Sequence, residues 1–125
     1  MDARVAAQGW VDGWTRGWET ADPVPIAALY AEDAVFRSHP FRVPETSARD
    51  YALRAFADES LVECRFGEPI VEGGRAAVEY WAVLRTPRGE QTLAGIAVIR
   101  FGPDGLVVEQ RDYWSMEASR TQPRF

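Results

Sequence analysis

Hydrophobic and polar residues follow two different periods along the chain. In the first half, apolar side chains recur every three to four positions, the spacing of amphipathic helices. Trp10, Trp14 and Trp18 are four residues apart, so they predict a first helix with its indoles along one stripe. We expect Trp10 to pack structurally and the other two to face a pocket.

Two further helices are predicted before the period changes. The segment "ADPVPIAALYAEDA" starts a second helix, with Asp22 as N-cap, Pro23 at the first position and Tyr30 on the buried side. The segment "TSARDYALRAFADES" predicts a third helix that is capped by Ser47. Between them, "AVFRS" over residues 34–38 predicts a short strand.

From residue 61 onward, side chains alternate with period two, as they do in strands. Strands are predicted at 61–72, 75–86, 90–101 and 106–115, with turns at "EGGR", "TPRGE" and "GPDG". Successive hairpins form an antiparallel meander, so we expect an α+β domain over residues 1–125, with three helices covering one face of the sheet. Apolar Trp81, Val98 and Tyr113 on the other face predict a partner subunit.

A carboxylate lies on the inward face of the last strand. Alternation through "GLVVEQRDYW" places Asp112 on the same side as Val108, Gln110 and Trp114. Two interpretations stay open. Asp112 is either a general base whose pKa is raised by an apolar pocket, or a structural acid held by hydrogen bonds or by an arginine such as Arg37.

Composition narrows the chemistry. The chain has 125 residues, 46% hydrophobic and 26% charged, and its net charge of −5 makes nucleic acid an unsuitable partner. All 14 basic residues are arginine, which excludes Schiff-base chemistry on a lysine. Because the chain has one histidine, His39, and one cysteine, Cys64, we expect no metal and no other cofactor. His39 is interpreted as a surface or loop-anchoring residue.

No apolar run approaches the roughly 20 residues of a membrane-spanning helix, so we expect no membrane association. The N-terminus "MDARVAAQGW" lacks the basic and apolar regions of a secretory signal, which indicates a cytoplasmic protein.

The segments "LYAEDAVFRSHPF" and "GLVVEQRDYW" resemble those of the nuclear transport factor 2-like superfamily. The resemblance is strongest to its SnoaL-like branch, which includes polyketide cyclase-like and epoxide hydrolase-like proteins. It implies a cone-shaped, cystatin-like curved antiparallel sheet that is wrapped by three helices. It also implies a pocket between helices and sheet, and a homodimer through the outer sheet face. Such motifs specify the fold more than the function.

Two enzyme groups of this superfamily can be compared position by position. Ketosteroid isomerases place a tyrosine, an aspartate base and a protonated aspartate where this chain has Trp14, Ser38 and Ala97. Limonene-1,2-epoxide hydrolases have an aspartate at the position of Asp112. At the other positions of their site, this chain has different side chains, namely Phe36, Ser38, Tyr80 and Ala82. Neither mechanism is therefore expected here.

The sequence predicts a protein that binds a small hydrophobic, cyclic or polyketide-like ligand in an aromatic pocket. It would be a cofactor-independent cyclase, isomerase or lyase with Asp112 as acid and base. The alternative is a non-catalytic ligand-binding or protein-interaction module of the same fold. The residues predicted to bind the ligand are Trp14, Trp18, Phe36, Ser38, Phe56, Cys64, Tyr80, Ala82, Ala97 and Trp114.

Overall fold

Three helices pack on one face of a six-stranded, unclosed sheet in the computed structural model, which describes residues 1–125. This is the predicted α+β architecture of the nuclear transport factor 2-like fold. None of the helices is long and apolar enough to span a membrane. The elements are α1 (Ala3–Thr20), α2 (Val24–Ala27), β1 (Tyr30–Arg37), α3 (Ala48–Asp58), β2 (Ser60–Phe66), β3 (Ile70–Glu72), β4 (Arg75–Thr86), β5 (Gly89–Phe101) and β6 (Val107–Glu117).

Helix α1 carries the tryptophan stripe across the sheet. It begins at Asp2, whose side chain accepts hydrogen bonds from the backbone N–H of Arg4 and Val5, and it ends at Ala21 in the left-handed conformation, with φ of 51°. Trp10 and Trp14 are buried on its inner face. The structure thus confirms the helix and the buried side that the four-residue spacing predicts.

The strands are ordered β1-β6-β5-β4-β2, and β3 also pairs with β4. The predicted antiparallel sheet is wrong in one respect, since β1 runs parallel to β6 and the sheet is mixed. A parallel pair requires a long crossover. Here the connection from β1 to β6 contains α3 and the whole meander, a non-local pairing that strand periodicity does not reveal.

Two predicted elements have different bounds. The second helix is one turn only, and Tyr30 faces the core from the start of β1 and not from that helix. The predicted strand 61–72 divides into β2 and β3 around Gly67 and Pro69, because a proline interrupts the ladder of a sheet. The three predicted turns are present, and each contains a glycine with positive φ: Gly73, Gly89 and Gly105.

The strand register sets out the inner face of the sheet in rows. Gly95 of β5 lies between Tyr80 of β4 and Trp114 of β6, and the next row contains Ala97 and Asp112. A Cβ atom at Gly95 would come within 2.6 Å of Trp114 Cβ and 2.9 Å of Tyr80 Cζ. The small residue therefore makes room for the side chains of Tyr80 and Trp114 on the inner face of the sheet.

The outer face of the sheet is partly covered by the chain's own C-terminus. Trp81 Nε1 donates to the Thr121 carbonyl at 3.1 Å, and Thr92 Oγ1 donates to the Ser119 carbonyl at 2.6 Å. Trp81, one of the outer-face residues that predict a partner subunit, thus contacts this tail within its own chain. Tyr113 stays exposed, at 43%.

Candidate functional site

A cavity of about 50 Å³ lies between α1, α3 and the inner face of the sheet. Ten of its 13 lining residues are hydrophobic. Its polar groups are therefore few, and those that face it decide its chemistry. The lining residues are Trp10, Trp14, Trp18, Tyr51, Ala55, Phe56, Glu59, Phe66, Tyr80, Leu93, Gln110, Asp112 and Trp114.

A second hollow, which we call the vestibule, lies outside the cavity and has a volume of about 420 Å³. The two spaces share five lining residues and therefore adjoin each other. The vestibule is more polar, because its other walls carry charged side chains from the loop after β1 and from α3. The shared residues are Tyr51, Ala55, Glu59, Leu93 and Trp114; the vestibule adds Arg42, Glu45, Arg54, Asp58 and Met116.

Asp112 lies on the sheet side of the cavity, as the alternation in β6 predicted. Burial in apolar surroundings raises the pKa of its carboxyl to about 7, from an ordinary value of 3.8. Hydrogen bonding to Gln110 and to Tyr80 opposes that rise. Gln110 Nε2 donates to Asp112 Oδ1 at 2.9 Å. Asp112 forms no ion pair, and Arg37, its suggested structural partner, is exposed to solvent.

Gln110 is fully buried and links Asp112 to the helix. Its Oε1 accepts from Trp10 Nε1 at 2.9 Å and from the Tyr30 hydroxyl at 2.5 Å, and Tyr30 in turn accepts from Trp14 Nε1 at 2.9 Å. An indole N–H can only donate, so the Gln110 oxygen must face Trp10 and its NH₂ must face Asp112. The network therefore presents a donor to the carboxylate.

Three tyrosines around this network stay protonated at neutral pH. Burial raises the pKa of Tyr80, Tyr51 and Tyr30, and the nearby Asp112 charge raises each one further. A neutral phenol can donate a hydrogen bond to a developing negative charge. Tyr80 and Tyr51 line the cavity with Asp112 and can act in this way.

The structure brings six of the predicted site residues together around the cavity. They are Trp14, Trp18, Phe56, Tyr80, Asp112 and Trp114.

Five predicted ligand-binding residues lie outside the cavity lining. Phe36 is fully buried behind it, stacked on Tyr30, with ring centroids 6.0 Å apart. Ser38 is also buried, where its carbonyl accepts from Trp114 Nε1 at 2.6 Å. The other three are Ala82 and Ala97, which are packed beneath larger side chains, and Cys64, where burial raises the thiol pKa to about 11.

Several lining residues were not predicted. Gln110 had a detectable signal, since it shares the apolar face of β6 with Asp112. Tyr51 and Ala55 are four residues apart on α3 and therefore face one direction, and Glu59 is the C-cap that follows this helix. Trp10, expected only to pack, also lines the cavity and donates to Gln110. Phe66 and Leu93 complete the unpredicted set.

His39 lies in the loop after β1 and does not line the cavity. Its ring packs edge-on against Trp114 with centroids 4.8 Å apart, and its Nδ1 accepts from the Phe41 N–H at 3.3 Å. This is the loop-anchoring arrangement that we expected. No three His, Cys, Asp or Glu side chains are grouped closely enough to hold a metal ion.

The model of the SnoaL-like domain matches residues 11–110, most of the chain. The protein belongs to the SnoaL-like family. The match ends two residues before Asp112, so the family assignment rests on the fold and not on the candidate base. A search of curated proteins with this sequence gives no match.

Solved structures with the same fold include three of enzymes or enzyme-like proteins. An LEH-like epoxide hydrolase from M. tuberculosis has 17% identity and a TM-score of 0.70, over 89% of this chain and 84% of that one. SalBIII, an epoxide hydrolase/cyclase-like enzyme of pyran ring formation in the polyether salinomycin, has 16% identity and a TM-score of 0.77, over 93% and 97%. A Bacillus subtilis protein named provisionally as an isomerase has 20% identity and a TM-score of 0.74, over 92% and 90%. SnoaL-like proteins thus share this fold with several chemistries.

We expect Asp112→Asn to change the pH dependence of stability. The folded-state pKa of about 7 lies above the ordinary 3.8, so the protonated form is favoured by folding. This contribution to the free energy of unfolding is fully present below the unfolded-state pKa and is lost as the pH rises through the folded-state pKa. Asparagine does not titrate, so the free energy of unfolding of the variant lacks this pH dependence. Relative to the variant, the wild type should lose roughly 2–3 kcal/mol of its free energy of unfolding between pH 5 and pH 8.

Urea unfolding of both proteins at the two pH values measures this difference. Asp33→Asn, at an exposed position of β1, is the matched control and should show no such change. A difference between wild type and Asp112→Asn that is the same at both pH values would mean that Asp112 titrates like an ordinary surface carboxyl.

We expect Gln110→Leu to lower the free energy of unfolding by about 1–3 kcal/mol, because it leaves the buried Tyr30 hydroxyl without its acceptor and leaves Trp10 Nε1 with only the longer 3.3 Å bond to the Tyr30 oxygen. It should also raise the pKa of Asp112, which loses a hydrogen-bond donor. Chemical denaturation gives the first quantity, and carboxyl NMR titration gives the second. The exposed control Gln8→Leu should change stability by no more than about 0.5 kcal/mol. A similar small effect at Gln110 would contradict the network.

Proposed function

We propose that this protein is a cofactor-independent isomerase, cyclase or lyase that acts on a small apolar cyclic compound, with Asp112 as its acid and base. The observation that carries the proposal is a carboxyl with a pKa of about 7 that faces an aromatic cavity and has only neutral hydrogen-bonding partners. A base works best when its pKa is close to the working pH, and this carboxyl meets that condition.

The proposed chemistry is proton transfer within one substrate. Asp112 accepts a proton from an acidic C–H or O–H group, and the electron pair left behind moves onto a neighbouring oxygen. The neutral Tyr80 hydroxyl, next to Asp112, stabilises that oxygen by donating a hydrogen bond. Protonated Asp112 then returns the proton to another atom of the same substrate, so neither an oxidant nor a cofactor is consumed.

The aromatic wall supports an apolar ligand. Trp10 and Phe66 meet edge to face with ring centroids 5.6 Å apart, and Trp18 lies 6.5 Å from Phe66. Such interlocking rings form an apolar wall that excludes water from the carboxyl and keeps its pKa high. The indole of Trp114 is held by the Ser38 carbonyl and closes the opposite side.

Hydrogen–deuterium exchange of a bicyclic ketone, β-tetralone, tests the proposed base without knowledge of the natural substrate. We expect the wild type to accelerate exchange at the carbon next to the carbonyl, with a rate that rises with pH and levels off above about 7. Asp112→Asn should lower the enzymatic rate at least about 100-fold while it leaves the fold intact. Proton NMR in deuterated buffer measures the exchange.

Asp33→Asn serves again as the control and should exchange at the wild-type rate. Full exchange activity in Asp112→Asn would remove the proposed role of Asp112. A protein that binds the ketone without accelerating exchange would favour the non-catalytic ligand-binding module of the same fold.

We also propose a homodimer through the part of the outer sheet face that the C-terminal tail leaves open. Alternation places Ile96, Val98 and Tyr113 there, and Tyr113 is 43% exposed. Ile96 and Val98 are partly buried, and apolar groups that remain accessible on adjacent strands are typical of a subunit contact. Light scattering should give the dimer mass for the wild type and the monomer mass for Tyr113→Arg. A monomeric wild type would contradict the proposal.

A further inference from the structure

Glu59 is a second carboxylate of the cavity. It caps the C-terminus of α3 and lines both the cavity and the vestibule. It is half-buried, and burial raises its pKa, with a further contribution from neighbouring Asp58. An acidic side chain in such a place normally has a compensating partner.

No arginine compensates Glu59. The two nearby guanidinium groups are engaged elsewhere: Arg54 forms an ion pair with Glu45, and Arg42 lies 5.3 Å from the ring centroid of Trp114. The Glu59 side chain accepts no hydrogen bond within the chain, yet no buried polar atom is left without a partner. Its carboxylate oxygens are therefore not fully buried, and the residue lines both spaces.

The position of Glu59 relative to Asp112 follows from the spaces that the two residues line. Asp112 lines only the inner cavity, whereas Glu59 lines both the cavity and the vestibule, so Glu59 lies on the vestibule side of Asp112. Along the helix wall, Tyr51 lies in the first turn of α3 and Glu59 is the C-cap directly after its last residue, about 12 Å further along the helix axis. Apolar Ala55, Phe56 and Leu93 line the cavity that both carboxylates face. A ligand that reaches from the inner cavity toward the vestibule would therefore pass from Asp112 to Glu59.

We propose that Glu59 binds the far end of the same ligand, so that the ligand class is an elongated apolar compound with a hydrogen-bonding group at each end. One group would meet Asp112 and Tyr80, and a hydroxyl or amine donor at the other end would meet Glu59. This inference rests on the proposed function, because it assumes that the cavity holds a ligand against Asp112.

Two naphthalene probes test the proposed ligand cavity at Asp112 separately from the proposed role of Glu59. β-Naphthol has one hydroxyl, and the matching naphthalenediol carries a second hydroxyl at the opposite end of the same ring system. We expect the diol to bind the wild type about tenfold more tightly than the naphthol, the gain from one hydrogen bond to a charged acceptor. Isothermal titration calorimetry measures both affinities.

Glu59→Ala should abolish the advantage of the diol, so that the two probes bind this variant with equal affinity, and a native circular dichroism spectrum should show that the variant is folded. Glu63→Gln removes a charge from an exposed position of β2 and should keep the full advantage. Equal affinities of the two probes for the wild type, or a diol advantage that persists in Glu59→Ala, would overturn the role of Glu59 alone. If neither probe binds the wild type, the proposed ligand cavity is wrong, and the inference about Glu59 is overturned with it.

Discussion

The arrangement around Asp112 depends on one donor that cannot act as an acceptor. The indole N–H of Trp10 requires an oxygen from Gln110, 100 residues later in the chain, and this requirement turns the amide NH₂ toward Asp112. With the amide reversed, two donors would face each other at the helix and two acceptors would face each other at the carboxylate. A residue of α1 therefore sets the electrostatics of a carboxylate on the last strand.

Packing of the sheet divides ligand recognition into two parts. Gly95 lets the rings of Tyr80 and Trp114 lie over the centre of the sheet, so the inner cavity has a volume of only about 50 Å³. That is small compared with the roughly 300–1,000 Å³ of typical ligand pockets. Under the proposed function, the body of a ligand would then extend into the vestibule. Proton transfer at Asp112 and recognition of the rest of the ligand would thus belong to different, adjoining spaces.

Sequence periodicity predicted the elements, and the face on which each residue lies, better than it predicted how close a residue is to the cavity. Alternation correctly placed Asp112, Tyr80 and Trp114 on the inner face, because that property depends only on local geometry. It could not tell that Phe36 lies behind the cavity wall, since distance from a cavity depends on which strands pair. The parallel contact of β1 with β6 is such a long-range pairing. Glu59 was missed for a similar reason, because a residue at a helix end belongs to no periodic face.

The absence of a cation beside Asp112 bears most directly on its function. An arginine within a few ångströms would lower the pKa of a carboxyl by about 1–3 units and hold it permanently ionised. The neighbouring strand positions that could carry such a group contain Ala97 and Val78, and the partners that are present, Gln110 and Tyr80, are neutral. Neutral dipoles stabilise the carboxylate enough for it to form, but not enough to suppress the protonated state near pH 7. A purely structural acid gains nothing from this balance, whereas a group that accepts and returns a proton requires it.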